Sequence, residues 1–236
     1  MSTYAPFTRS TKNNLVLTIH VDNYIITIPL NTTWDWKTSI KISSEPKNVP
    51  NPKTGTTPLS LVRGTMFHGP SNSSQIFQYG GTVYMGNQSA PQYVAPDAST
   101  YALWSYDTET DGYRWDQYDI SQPWMPNHGL SAEAVDMGYA FYLNGQIDWG
   151  TSALTQKFQN VSLYTPLEGM LIINLVEKTS VNISTPGLKS GPRVGGKMQY
   201  VDNVGEDGIL VAIGGQVGDK PVYANSSKGT MVGDGY

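Results

Sequence analysis

Cysteine is absent from the 236-residue chain, which excludes a disulfide framework, a thiol nucleophile and any cysteine-ligated zinc or iron–sulfur centre. Only three histidines are present, so imidazole metal clusters are poorly supplied. Charge is sparse too: Asp, Glu, Lys and Arg make up 14% of residues, against about 25% in an ordinary soluble domain. With 15 basic and 19 acidic residues the net charge is -4, which argues against a polybasic nucleic-acid binder. Apolar runs stop at five residues, as in Ile209–Ile213, where a bilayer span needs about 18. The opening Met1-Ser2-Thr3-Tyr4-Ala5-Pro6 is not followed by the apolar stretch of a signal peptide. No dozen-residue window keeps an apolar i, i+3, i+4, i+7 pattern free of Gly or Pro, so helices are not expected.

What the chain does have is turn-rich and strand-rich: 24 Gly, 15 Pro, 15 Tyr and 6 Trp, with 39% hydrophobic residues, enough to supply a core. Short β-branched and aromatic runs bounded by Gly, Pro, Asn and Asp recur throughout. They include Leu15 to Val21, Tyr24 to Ile28, Gln75 to Tyr79, Ala102 to Tyr106, Tyr139 to Leu143, Met170 to Leu175, Lys197 to Val201 and Ile209 to Ile213. This spacing predicts an all-β chain of antiparallel hairpins.

One strand ending in a glycine pair occurs three times, as Ile76-Phe77-Gln78-Tyr79-Gly80-Gly81, Phe141-Tyr142-Leu143-Asn144-Gly145-Gln146 and Val211-Ala212-Ile213-Gly214-Gly215-Gln216. In the middle copy Asn144 replaces the first glycine, and Asn best tolerates the left-handed region after Gly. Strands opened by Arg63 and Arg193 precede the first and third copies, while the middle copy has lost the arginine. An outer strand pair follows the first two doublets, and a further outer pair, Tyr24 to Ile28 with Trp34-Asp35-Trp36, opens the chain. A unit of four strands at a fixed repeat is the signature of propeller blades.

These residues resemble the kelch repeat, and more closely the long kelch blades of fungal surface proteins related to the central propeller domain of galactose oxidase. Gly80, Gly81, Gly145, Gly214, Gly215, Arg63, Arg193, Trp34 and Trp115 carry the resemblance. It implies a partial kelch-type β-propeller of about three to four blades of four-stranded antiparallel sheet. The expected layout is an extension at 1–14 and a propeller segment at 15–236. The segment divides into outer strands at 15–40, blades at 59–120 and 131–185, and an incomplete blade at 191–236. Two whole blades and two halves are too few to close a ring, so a segment of a larger propeller is expected.

Candidate chemistry is thin. Radical copper oxidation of the galactose oxidase type needs a Tyr–Cys crosslink, which a cysteine-free chain cannot form. His20, His68 and His128 have no second ligand at i+2 or i+4 and are read as surface or turn residues. Asp202, Glu206 and Asp207 lack calcium-loop spacing, and Asp107, Glu109 and Asp111 read as a turn between outer strands. No G-x-S-x-G elbow and no G-x-G-x-x-G opening a helix is present. No catalytic residue, metal site or cofactor is assigned.

A binding module remains. The long segments 86–101, 121–130 and 147–168 carry Tyr93, Tyr101, Trp124, Trp149 and Tyr164, aromatics suited to sugar stacking, protein contact or packing of the loops themselves. Glycosylation sequons occur six times, at Asn31, Asn72, Asn87, Asn160, Asn182 and Asn225, which favours an extracellular or cell-surface protein. The expected function is a non-enzymatic propeller mediating protein or glycan contacts. A scaffold or remnant of a carbohydrate-active enzyme and an intracellular kelch adaptor are the alternatives.

Overall fold

The computed structural model describes residues 7–10, 14–18, 24–29, 35, 37, 42–47, 49–58, 61–83, 103–110, 114–120, 126–147, 165–188 and 191–217. Among them the chain is all-β apart from one 3-10 turn, Val135–Met137, and it forms a partial β-propeller. No helix among these residues is long and apolar enough to cross a membrane.

The first sheet is a meander of β1 (Phe7–Ser10), β2 (Asn14–Thr18), β3 (Tyr24–Pro29) and β4 (Ser43–Pro46). Two expectations change here. The stretch 1–14 is not a mere extension, because Phe7–Ser10 pairs with β2, and the opening unit is a full sheet rather than an outer pair within 15–40. The partner of β3 is Ser43–Pro46, in the place expected for the Trp34 strand. Both added strands are sheet edges of four residues, Phe-Thr-Arg-Ser and Ser-Ser-Glu-Pro. An edge strand needs backbone pairing on one side only, so neither carries the alternation that marks a strand in sequence. Trp34 itself lies outside the described residues.

The second unit contains β5 (Leu61–Val62), β6 (Thr65–His68), β7 (Gln75–Tyr79), β8 (Thr82–Val83), β9 (Leu103–Asp107) and β10 (Trp115–Tyr118). Strands β6, β7, β9 and β10 make the four-stranded sheet, and β5 pairs with β8 as a short ribbon. The third unit repeats this with β11 (Leu130–Ala134), β12 (Tyr139–Leu143), β13 (Gln146–Ile147), β14 (Thr165–Pro166), β15 (Met170–Asn174) and β16 (Thr179–Ile183). Here β11, β12, β15 and β16 form the sheet, and β13 pairs with β14. In the fourth unit β17 (Arg193–Val194), β18 (Lys197–Val201), β19 (Ile209–Ile213) and β20 (Gln216–Val217) give an inner pair, β18 with β19, and a ribbon, β17 with β20.

The innermost strands stand side by side, β1 against β6, β6 against β11 and β11 against β18. Each junction between sheets holds its own apolar cluster. Ile25 joins Met66, Ile76, Trp104, Tyr106 and Trp115 between the first and second sheets. Phe67, Phe77, Tyr79, Leu103, Tyr142, Leu171 and Ile173 fill the second junction, and Leu130, Ala132, Leu143 and Met198 the third. Fully burying one such side chain stabilises the fold by roughly 1.5–3 kcal/mol. Because the second sheet is covered on both faces, β7 and β9 are buried at successive residues rather than at alternate ones. Strands β11 and β15 keep the period-2 alternation.

Trp115 is 6% exposed and packs at 5.1 Å from the Tyr106 ring and edge-on to Trp104 at 6.4 Å. Lys47 is buried over the same indole, its Nζ 5.5 Å from the ring and donating to Gln78 Oε1 at 3.2 Å. Burial pulls its pKa down to about 7.

Gly80 tests the packing at the doublet. It has φ +66, and a Cβ there would sit 2.4 Å from the Pro126 carbonyl oxygen of the next sheet. Gly214, at the equivalent place, has φ +74, but a Cβ would meet nothing nearer than 3.9 Å. Gly80→Ala is expected to cost about 3 kcal/mol and Gly214→Ala about 1 kcal/mol, the backbone strain alone. Thermal melts at about 2–4 °C per kcal/mol resolve the two; equal losses would contradict the packing described.

Candidate functional site

The three doublets all close their strands in the left-handed region. Gly80 and Gly81 have φ +66 and +108, Asn144 and Gly145 +51 and +87, and Gly214 and Gly215 +74 and +83. This turn directs backbone groups across to the next sheet. Gly81 N–H donates to Pro126 O at 2.8 Å and Gly145 N–H to Arg193 O at 3.1 Å. A second set links the residues opposite the doublets: His128 N–H to Arg63 O at 3.3 Å and Gly195 N–H to His128 O at 2.6 Å. Arg63, His128 and Gly195 all have positive φ, at 63°, 55° and 76°. They occupy one repeat position, because the strands that follow pair Thr65 with Tyr79, Leu130 with Leu143 and Lys197 with Ile213.

That register separates two arginines that the sequence had placed in one role. Arg63 is equivalent to His128 and Gly195, whereas Arg193 is equivalent to Leu61 and Pro126, two residues earlier. Arg193 uses its backbone N–H to reach Asn144 Oδ1 at 3.2 Å and its guanidinium to reach Gly214 O at 3.0 Å. Asn144 exceeds what a glycine supplies: its amide also donates to Leu167 O and Gly169 O, both at 3.1 Å.

His68 and His128 are not surface or turn residues with no partner, and His20 lies outside the described residues. His128 is largely buried, and desolvation followed by the Arg63 charge lowers its pKa to about 3. His68 holds its Nδ1 2.7 Å from Glu133 Oε1, and its backbone N–H donates to Oε2 at 2.8 Å. The partner stands 65 residues away on the neighbouring inner strand, a distance at which no sequence spacing rule operates. Beside it, Thr65 and Ser131 share a hydroxyl hydrogen bond at 2.8 Å, and Ser71 Oγ donates to Asp136 at 2.6 Å.

At the doublet end of the third sheet two clefts adjoin. One, of about 210 Å³, is walled by Asn144, Glu168, Gly169 and Asn182 over Tyr79 and Tyr142. The other, of about 230 Å³, shares Asn144 and Glu168 and adds Ser184 and Thr185. Tyr79 and Tyr142 meet edge to face at 5.2 Å, and Tyr142 Oη accepts the Gly129 N–H at 2.8 Å. Burial pushes both phenols well above their usual range, so they stay protonated and form a floor rather than a proton relay. The rim offers the Glu168 carboxylate, the Asn182 carboxamide and the Ser184 and Thr185 hydroxyls, while the Asn144 carboxamide is already committed to Leu167, Gly169 and Arg193. That set can hydrogen-bond a neutral polar ligand. Among the described residues no group of three or more His, Asp or Glu is placed to hold a metal.

Of the other sequence candidates, Asn72 is exposed at the β6–β7 turn and Asn182 is exposed on β16. Asn31, Asn87, Asn160 and Asn225 lie outside the described residues, as do Tyr93, Tyr101, Trp124, Trp149 and Tyr164. The described strands fix where the connections carrying those aromatics begin and end. The β8–β9, β10–β11 and β13–β14 connections all leave the sheets at the doublet end, where Leu103 pairs with both Tyr79 and Tyr118. Asp107 accepts from Ser74 Oγ of the β6–β7 turn at 2.7 Å and, in the turn that follows it, from Thr110 Oγ1 at 2.7 Å and Glu109 N–H at 2.9 Å. Partial burial works against these bonds, but together they hold its carboxyl below the usual range.

No protein-family model matches the sequence, and no curated protein is significantly similar to it. The fold is similar to the solved structure of YjhT, with a TM-score of 0.56 and 8% sequence identity, over 91% of this chain and 66% of that one. The chain thus spans just under two thirds of that structure's length, and at this identity the likeness is one of fold.

His128 makes the junction acid-sensitive. The unfolded state takes up a proton near pH 6.5, the folded state only near 3, so stability present above about pH 6.5 is lost as pH falls towards 3. The linkage is worth roughly 4–5 kcal/mol. Asn tolerates the positive φ, so His128→Asn is expected to flatten the melting temperature between pH 6.5 and 4 relative to the unmodified chain. Parallel pH profiles for the two would remove His128 from this role.

Proposed function

We propose that this chain is a kelch-type propeller module that binds a protein or glycan partner at the cell surface without chemical turnover. The observation that carries this reading is convergence at one end of the sheets. The described strands that flank the connections bearing Tyr93, Tyr101, Trp124, Trp149 and Tyr164 end there, and the cleft of Glu168 and Asn182 opens at the same end of the third sheet. Loops on a rigid sheet scaffold are where ligands are usually met. A polar rim over an apolar floor suits a sugar ring, whose hydroxyls need partners and whose C–H faces do not. The kelch assignment is supported by the three doublets with positive φ, each ending the second strand of a sheet. Exposure of Asn72, away from the cleft, is compatible with glycosylation and so with a surface location.

A glycan array on the chain tests the reading, with each hit re-measured on Glu168→Gln. Loss of a charge-assisted hydrogen bond is expected to weaken binding about tenfold. Unchanged binding would move the site away from the cleft. Hydrolysis or oxidation of a bound sugar would end the non-enzymatic reading in favour of a carbohydrate-active scaffold. Expression in a secreting host followed by glycosidase digestion tests location: absence of a mass shift contradicts the surface assignment.

A further inference from the structure

Asn144 stands where the other two doublets have glycine, and the exchange writes the one Asn-Gly pair of the chain. An asparagine followed by glycine is chemically labile. The glycine nitrogen has no Cβ beside it to hinder attack, and its backbone turns freely onto the preceding side chain. In that reaction Gly145 N gives up its proton and attacks Asn144 Cγ. A C–N bond forms, the Cγ–Nδ2 bond breaks, and ammonia leaves behind a cyclic imide. Water then opens the imide at either carbonyl and leaves aspartate or isoaspartate in the chain. Water is the only co-reactant, and nothing is oxidised or reduced.

In the folded chain both reacting groups are held, and Arg193 holds each of them. Its backbone N–H donates to Asn144 Oδ1 at 3.2 Å, and its carbonyl accepts the Gly145 N–H at 3.1 Å. The Nδ2 that would leave donates to Leu167 O and Gly169 O, both at 3.1 Å. Asn144 is 3% exposed, so water reaches it poorly. Attack requires the carboxamide to leave three hydrogen bonds and Gly145 N–H to leave a fourth. Arg193 opens β17 of the fourth unit, and the seat of that unit on the third rests on Met198, packed with Leu130, Ala132 and Leu143.

We propose that Asn144-Gly145 is a deamidation site gated by the crossing to Arg193, and that its product bars the crossing from forming again. A carboxylate accepts hydrogen bonds and donates none. Leu167 O and Gly169 O would lose their donor and face a negative charge in a nearly closed position, with the Glu168 carboxylate lining the same clefts. Burying an unpaired charge is costly. Isoaspartate also lengthens the main chain between Asn144 Cα and Gly145 N. That displaces Gly145 N–H from Arg193 O and Gly145 O from the Leu167 N–H that reaches it at 2.9 Å. Gly80-Gly81 and Gly214-Gly215 carry no side chain that can react. The residue that binds its neighbours more fully than glycine therefore also makes the third junction the one that opening can break covalently.

Mass spectrometric peptide mapping of the full chain, incubated at neutral pH, reads conversion at Asn144. Conversion is expected to be fast in the urea-unfolded chain and at least about a hundredfold slower in the folded one. Met198→Ala loosens the seat of the fourth unit and is expected to speed conversion about tenfold or more. Hydrogen exchange of the Gly145 amide, the same nitrogen that attacks, is expected to quicken in step with it. Urea titration of the unmodified chain gives the same comparison if the variant does not fold. The converted fraction, separated by its added negative charge, is expected to exchange Gly195 N–H, bonded to His128 O at 2.6 Å in the intact chain, as fast as the exposed turn Asn203–Glu206. Its Gly81 amide is expected to stay protected. Absence of conversion in the unfolded chain removes the site, and equal rates in folded and unfolded chains remove the gate. Conversion that does not change while Gly145 exchange quickens also removes the gate. A Gly195 amide as slow in the converted fraction as in the intact chain overturns the permanence of the opening.

Discussion

The backbone N–H groups of Gly81 and Gly145 leave their own sheets and bond the carbonyls of Pro126 and Arg193 in the next, and the arrangement of sheets depends on that crossing. It requires a left-handed residue immediately before, met by Gly80 in one copy and Asn144 in the other. It also requires that nothing stand between the doublet and the incoming strand, which is why a Cβ on Gly80 would fall 2.4 Å from Pro126 O. The reciprocal crossing, from His128 and Gly195 to the carbonyls of the preceding sheet, fixes the inner strands side by side. With the strand ends pinned in this way, the apolar faces between sheets meet in register, and one cluster forms at each junction.

Much of this was legible in the sequence because the constraint is local. A strand that ends in two positive-φ residues must be written with Gly or Asn, and Gln75–Tyr79, Tyr139–Leu143, Lys197–Val201 and Ile209–Ile213 are strands at the positions their alternation and doublets indicate. Where the constraint is not local, the sequence was silent or misleading. Phe7–Ser10 and Ser43–Pro46 pair through backbone at sheet edges and leave no pattern. Arg63 and Arg193 look alike as letters but sit two residues apart in the repeat, and only the strand register separates them. His68 finds Glu133 because two inner strands adjoin, and Lys47 lies over Trp115 because the chain after β4 folds back onto the second sheet. Neither pairing has a sequence spacing to reveal it.

The candidate site follows from the same geometry. Each doublet turns the chain at one end of its sheet, and the clefts around Asn144 and Glu168 open at that end of the third sheet. Asn144 joins the two levels: its carboxamide holds the Leu167–Gly169 backbone and the start of the fourth unit while lining both clefts. The floor of the cleft is a product of the same repeat, with the Tyr79 and Tyr142 phenols held neutral by burial.

Hydrogen exchange at the crossing amides probes this construction most directly. If the doublet crossings hold the sheets together, the amides of Gly81, Gly145 and Gly195 exchange only through global unfolding, as slowly as the central amides of β7 and β12. Exchange of these three as fast as the exposed turn at Asn203–Glu206 would show that the sheets associate through side chains alone and would contradict the dependence on the doublets.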